Sequence, residues 1–109
     1  MYVPGVLWTA AHHRIPLLSV MHNNRAYHME VMHLQRMAAR RQRGVDGSAR
    51  VGNTLEDPFI DFATVAKGLG VWSAGPITDP EDLRPALLEA LAVVERGEPA
   101  LIDVVAQPR

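Results

Sequence analysis

The stretch Pro16-Leu17-Leu18-Ser19-Val20-Met21-His22-Asn23-Asn24-Arg25-Ala26-Tyr27 organises the chain. It opens on a proline, runs through an apolar segment and stops at two asparagines, with an arginine and a tyrosine close behind. Leu17 to Met21 reads as a buried parallel strand, a short apolar run bounded by turn signals. The polar step after it then lies at a strand's carboxyl end, where ligands bind in open α/β sheets. Asparagine there offers a carbonyl oxygen to a hard cation and an NH2 group to a phosphate oxygen. It serves equally well as a turn residue, because it tolerates the left-handed region. On residue type alone, both readings of Asn23 and Asn24 stand open.

Outward from this stretch, strands and helices alternate. Met1 to Arg14 is expected to be helical, with Pro4 in the first turn and Val6, Leu7, Ala10 and Ala11 at helical spacing. It ends before Pro16, whose ring pushes the preceding residue out of the α region. The adjacent His12 and His13 point about 100° apart on a helix, so they read as a polar last turn rather than a metal pair. After the asparagines, Tyr27 to Arg41 is expected to form a second helix with Tyr27, Val31, Leu34 and Ala38 in one apolar stripe. His28 and His33, five residues apart, are poorly spaced for zinc, and Met29, Met32 and Met37 read as packing.

Gly44 to Pro58 has three glycines and little periodicity, and reads as a long loop of the functional or mobile kind. Gly44-Val45-Asp46-Gly47 is no phosphate loop, since no Gly-Lys-Ser/Thr follows. A third helix is expected from the N-cap Asp61, with Phe62, Val65, Ala66 and Leu69 inward and Gly70 as its stop. Val71 to Ala74 is a short strand candidate. Thr78-Asp79-Pro80-Glu81-Asp82 combines cap, proline and acids in a strong helix start. Leu83, Leu87, Ala90, Leu91 and Val94 mark that helix's buried face, Gly97 ends it, and Ala100 to Val105 is a last strand before Pro108. Strands alternating with helices imply a parallel sheet with right-handed crossovers. The first helix has no strand ahead of it, so the sheet is expected to be incomplete at its N-terminal edge.

Composition narrows the function classes. The 109 residues suit one domain, with 48% hydrophobic and 21% charged residues as in ordinary globular proteins. Without cysteine there are no disulfides or thiolate metal sites. No signal-like segment and no membrane-length apolar run is present, so a cytoplasmic protein is the expectation. The net charge of −1 hides an asymmetry: residues 1–50 hold seven arginines against Glu30 and Asp46, while the acids gather in residues 51–109. The cluster Arg36, Arg40, Arg41 and Arg43 could face a phosphate-bearing ligand, an acidic partner or solvent. No nucleic-acid motif accompanies it and the pI is near 6.5, so no nucleic-acid partner is expected.

Pro4-Gly5-Val6-Leu7-Trp8-Thr9-Ala10-Ala11, Ile15-Pro16-Leu17-Leu18, and Asn23-Asn24 with Tyr27 resemble the C-terminal domain of thiamine-diphosphate enzymes. The acetolactate synthase and benzoylformate decarboxylase group is the nearest in pattern. Asp61-Phe62-Ala63 to Leu69-Gly70, Ile77 to Leu83 and Glu98-Pro99-Ala100-Leu101-Ile102-Asp103-Val104 agree with it, so the resemblance spans essentially the whole chain. It implies a three-layer α/β/α domain with a mainly parallel sheet. Thiamine diphosphate and Mg²⁺ would be the cofactors, and a 2-oxo acid the substrate of the full-length enzyme, a decarboxylase or carboligase. The resemblance further implies that Asn24 ligates the metal through its side-chain oxygen and Ala26 through its backbone carbonyl. Asn23, Arg25, Tyr27 and His28 would complete the diphosphate surroundings.

The family's motif runs from Gly-Asp-Gly to Asn-Asn over roughly two dozen residues, and counting back from Asn23 sets its aspartate ahead of Met1. The family's activating glutamate belongs to another domain. No residue of this chain is therefore assigned a catalytic proton transfer, and the isolated chain is expected to be inactive. The alternative is a non-catalytic binding or assembly module that keeps the fold. The family resemblance implies a homodimer or homotetramer, and an open sheet edge invites association of isolated chains.

Overall fold

The computed structural model describes residues 3–44 and 47–106, which fall into two compact units. One holds the chain up to Asn23 together with Asp61–Ala106, the other the described residues of Asn24–Ile60. The expected helix start at Met1, the Val45-Asp46 part of the long loop and the closing Pro108 lie outside the described residues.

The first unit contains α1 (Gly5–His12), β1 (Leu18–Asn23), α3 (Phe62–Gly68), β2 (Trp72–Ile77), α4 (Pro80–Glu95) and β3 (Ala100–Val105), where α2 belongs to the second unit. Its three strands are parallel in the order β1-β3-β2, so the last strand of the chain is the central one. Alternation along β3 serves both faces. Ala100, Ile102 and Val104 pack with Ala90, Val93 and Leu83 of α4. Leu101 turns the other way, against Leu7 of α1 and Ala66 of α3. Helices on both faces of a parallel sheet make the three-layer α/β/α arrangement. Ile102 is fully buried and Leu101 nearly so, each stabilising the fold by roughly 1.5–3 kcal/mol through the area withdrawn from water.

Local chemistry explains the boundaries. Asp61 Oδ1 accepts from the Thr64 backbone N–H (2.8 Å) and its Oδ2 from the Thr64 hydroxyl (2.8 Å), which caps α3. Those bonds, the backbone one foremost, hold the Asp61 carboxyl below its ordinary value of 3.8. α4 starts on the Asp79 carboxylate, which accepts from Glu81 N–H (3.0 Å), with Pro80 in the first turn. At the far end of α3, Val71 N–H donates to Ala66 O and Gly70 N–H to Lys67 O, with Gly70 at φ +82°. That is the left-handed stop the sequence suggests.

Several expectations change. β1 runs on to Asn23, two residues past Met21, and it is an edge strand of the described sheet: Val20 is 53% exposed. β2 likewise extends to Ile77, with a register irregularity between Ala74 and Ile77 that accommodates Pro76 on an edge. α1 covers only Gly5–His12, and there His12 stacks on Trp8 with ring centroids 4.9 Å apart. Val6, Val65 and Leu91 are exposed rather than inward, because each helix meets the sheet along a narrower stripe than its apolar sequence suggests.

Asp103 is a polar residue inside the core. It is fully buried on β3, and its Oδ2 accepts from Asn23 Nδ2 at 3.4 Å. Beside it Gly75 sits at φ +122°, where a Cβ would stand 2.5 Å from Asp103 O and 2.9 Å from Asp103 Cβ. The sheet closes at that level only around a residue without a side chain.

The second unit is α2 (His28–Arg40) with a short 3-10 turn, Gly47–Arg50, inside the stretch expected to be an irregular loop. Of the stripe expected on α2, Val31 is buried, Ala38 is half-buried, and Tyr27 and Leu34 are exposed. α2 ends with Gln42 in the left-handed region at φ +54°, Arg43 N–H donating to Ala38 O.

Candidate functional site

Beyond the last residue of β1 the chain enters the second unit as a short antiparallel ladder. Tyr27 N–H donates to Asn53 O (2.8 Å), Leu55 N–H donates to Arg25 O (2.7 Å), and Ala26 stands opposite Thr54. Asn53 is itself pinned, its Nδ2 donating to Ala49 O (3.0 Å) in the 3-10 turn. Residues 25, 27, 53 and 55 carry the ladder bonds, so the N–H and C=O of Ala26 turn away from the opposing segment. The Ala26 N–H is taken by Asn24 Oδ1 at 3.2 Å, which closes a turn around Arg25 at φ +57°. Asn24 thus makes the turn, and its carbonyl oxygen keeps a second lone pair for another partner.

Arg25 is held from the side: its guanidinium carbon lies 4.0 Å from the centroid of the Phe59 ring, a cation–π contact. Tyr27 is the N-cap residue of α2 and lends no side-chain cap. The first N–H groups of the helix therefore lack the usual capping partner, and its positive dipole end is open to an anion.

Asn24, Arg25, Ala26 and His28 line one small cavity of ≈ 70 Å³ together with Val31, Gln35, Arg50, Thr54 and Glu56. This space accommodates an ion and a few waters, not a whole cofactor. Tyr27 lies between these residues in sequence but outside that lining. Asn23 belongs to the sheet unit, where it is buried against Asp103. The two adjacent asparagines thus divide their work: one locks the strand end, the other shapes the turn.

Arg50, Thr54, Glu56 and Phe59 escaped the sequence reading. They lie 25 or more residues beyond Asn24, in a stretch without periodicity, and a ladder of a few residues leaves no alternation to detect. Gly52-Asn53 was the available clue, since a left-handed glycine (φ +74°) followed by asparagine marks a tight turn. A larger cavity of ≈ 390 Å³, lined by Arg41, Arg43, Gln35 and Ser48 among others, holds none of the motif residues. Among the described residues no three His, Cys, Asp or Glu side chains cluster. A cation bound by this unit would depend on neutral oxygens and isolated carboxylates.

The family model for the thiamine pyrophosphate enzyme C-terminal TPP-binding domain matches residues 1–104. The chain belongs to this family. A Mycobacterium tuberculosis (strain ATCC 25618 / H37Rv) protein named "Putative acetolactate synthase large subunit IlvX" is 36% identical over 107 residues. Those residues are 96% of this chain and 19% of that protein, so the chain spans about a fifth of its relative's length. No solved structure matches the chain. No helix among the described residues is long and apolar enough to cross a membrane.

Proposed function

We propose that this chain anchors the diphosphate of thiamine diphosphate through Mg²⁺, as part of a 2-oxo-acid decarboxylase or carboligase of acetolactate-synthase type. The observation that carries the proposal is the Asn24–Ala26 turn. An extended residue points its N–H and C=O to one edge, and the Ala26 N–H points at Asn24 Oδ1. The Ala26 carbonyl therefore faces the same side as the Asn24 oxygen, which supports their sharing one Mg²⁺ as hard oxygen ligands. These residues fit the group.

The chain's own residues would divide the task. Asn24 Oδ1 and Ala26 O hold the metal. The first N–H groups of α2, from His28 on, donate to the phosphate oxygens at the helix's positive end. Arg25, fixed over Phe59, and Arg50 add positive charge beside the same cavity. Asn23 and Tyr27 act at one remove, the first by locking the end of β1 and the second by seating α2. When bound, the cofactor supplies a nucleophilic carbon and an electron sink for a decarboxylation. No residue of this chain is assigned a proton transfer, and the 109 residues contain no Gly-Asp-Gly.

The exposed edge of β1, with Val20 at 53% exposure and Leu17 just ahead of the strand at 44%, supports self-association as a homodimer or homotetramer. Light scattering checks that part; a monodisperse monomer would contradict it. The anchoring itself is tested by calorimetric titration of thiamine diphosphate into the protein with and without Mg²⁺. Metal-dependent heat supports it. Absence of binding under both conditions would favour the alternative, a module that keeps the fold without the cofactor.

A further inference from the structure

The cluster Arg36, Arg40, Arg41 and Arg43 takes no part in the proposed anchoring. The fold divides it: Arg41 and Arg43 border the ≈ 390 Å³ cavity of the second unit, whereas Arg36 and Arg40 do not. The chain reversal after α2 makes that division. Arg41 N–H donates to Met37 O and Ala38 O, Gln42 N–H to Ala39 O and Arg43 N–H to Ala38 O. Gln42 (φ +54°) and Gly44 (φ +77°) both lie in the left-handed region. These carbonyls at the end of the helix are thereby satisfied by backbone donors, which leaves them less need of a guanidinium partner.

Both arginines are exposed, and neither forms an ion pair among the described residues. No carboxylate is among the described residues of the lining. Two like charges held at one space repel, and a doubly charged anion shared between them replaces that repulsion with attraction. Gln35 and Ser48 add neutral donors, an amide NH2 and a hydroxyl. The remaining wall is apolar. Leu34 and Met37 of α2 form one side and Ala49 of the 3-10 turn the other, with that turn tied by the bond from Asn53 Nδ2 to Ala49 O (3.0 Å). Leu34, expected to turn inward, is 46% exposed, and a ligand lying against it would withdraw that surface from water. Small-molecule sites combine an apolar wall with a few placed polar groups in roughly 300–1,000 Å³. Among the described residues, Gln35 is the one that this cavity shares with the smaller cavity at the Asn24 turn.

We infer that the larger cavity binds a small phosphomonoester with an apolar body, its phosphate on Arg41 and Arg43 and its body against Leu34, Met37 and Ala49. A phosphomonoester dianion matches two guanidinium groups in charge, and its oxygens accept from both arginines, the Gln35 amide and the Ser48 hydroxyl. A single carboxylate leaves one positive charge unmatched. This site needs neither Mg²⁺ nor thiamine diphosphate, and it stands whether or not the Asn24 turn anchors a cofactor.

Phenyl phosphate is the probe, titrated calorimetrically into the metal-free protein beside inorganic phosphate and phenol, with circular dichroism as the control for folding. It is expected to bind about 10-fold more tightly than inorganic phosphate, because its ring covers apolar wall. Arg41→Gln and Arg43→Gln are each expected to weaken phenyl phosphate binding about 10-fold, and Leu34→Asn to erase its advantage over inorganic phosphate. Arg36→Gln, outside the lining, is expected to keep wild-type affinity. No binding of phenyl phosphate by the wild type up to about 10 mM overturns the inference. Phenol or inorganic phosphate binding as tightly as phenyl phosphate does so too, since one half of the ligand would then be idle. Equal losses in Arg36→Gln and Arg41→Gln would reveal general attraction to a basic helix end and no site. Affinity lost in Arg50→Gln but kept in Arg41→Gln would put the phosphate in the smaller cavity, which also contradicts the assignment.

Discussion

In the unit that carries the sheet, α1, α3 and α4 close two apolar clusters around β3, and Ile102, Ala66 and Ala90 are fully buried. In the unit from Asn24 to Ile60, Val31 and Ala49 are the buried apolar residues among those described. That unit is held by directional contacts instead: the ladder between residues 25–27 and 53–55, the Asn53–Ala49 bond and the Arg25–Phe59 contact. Packing tolerates little change of volume, whereas a few hydrogen bonds give modest stability and place polar atoms closely. The sheet unit is thus the stable scaffold. The other unit presents oxygens, N–H groups and charges where a ligand can reach them.

This contrast breaks most readily at Gly75. Gly75→Ala drives a Cβ into the Asp103 backbone and is expected to cost more than about 4 kcal/mol, abolishing a cooperative urea transition. Ile102→Ala is expected to cost about 3 kcal/mol by opening a cavity in the sheet unit, again read as a shifted urea midpoint. Asp61→Ala removes the α3 cap and is expected to cost about 1 kcal/mol near neutral pH. The sign of its pH dependence follows from the lowered carboxyl. The Asp61 contribution is present above the ordinary value of 3.8 and lost as pH falls through the lower folded value, so wild type and variant converge in acid. In the second unit Gln42→Gly relieves a left-handed residue at the end of α2 and is expected to raise stability by at most about 1 kcal/mol. A loss of stability there would show that the Gln42 side chain holds the unit in a way its backbone does not reveal.

The same contrast explains what the sequence disclosed. Helix starts at Asp61 and Asp79 were legible because capping chemistry is local, and so were the stops at Gly70 and Gly97. The strands were legible as short, largely apolar runs bounded by turn signals, but their ends were not. β1 continues through the polar His22 and Asn23 because pairing with Val104 and Val105 of β3, 80 or more residues away, holds it extended. The exposure of Val20 was equally hidden, since strand order is a tertiary fact. At the candidate site, Asn24 and Ala26 were singled out from the motif around them, while Arg50, Thr54 and Glu56 border the same cavity, and Phe59 meets Arg25, only because a loop folds back. No periodicity announces that.

The most direct test of the central claim is a calorimetric titration of thiamine diphosphate with Mg²⁺ into wild type and Asn24→Ala, both checked for equal thermal stability. Asn24 contributes a turn bond worth about 1 kcal/mol at most to folding, so the variant is expected to remain folded. The account predicts binding that requires Mg²⁺ and falls at least about 10-fold in the variant. Equal affinity in the two proteins, or binding indifferent to the metal, would contradict it.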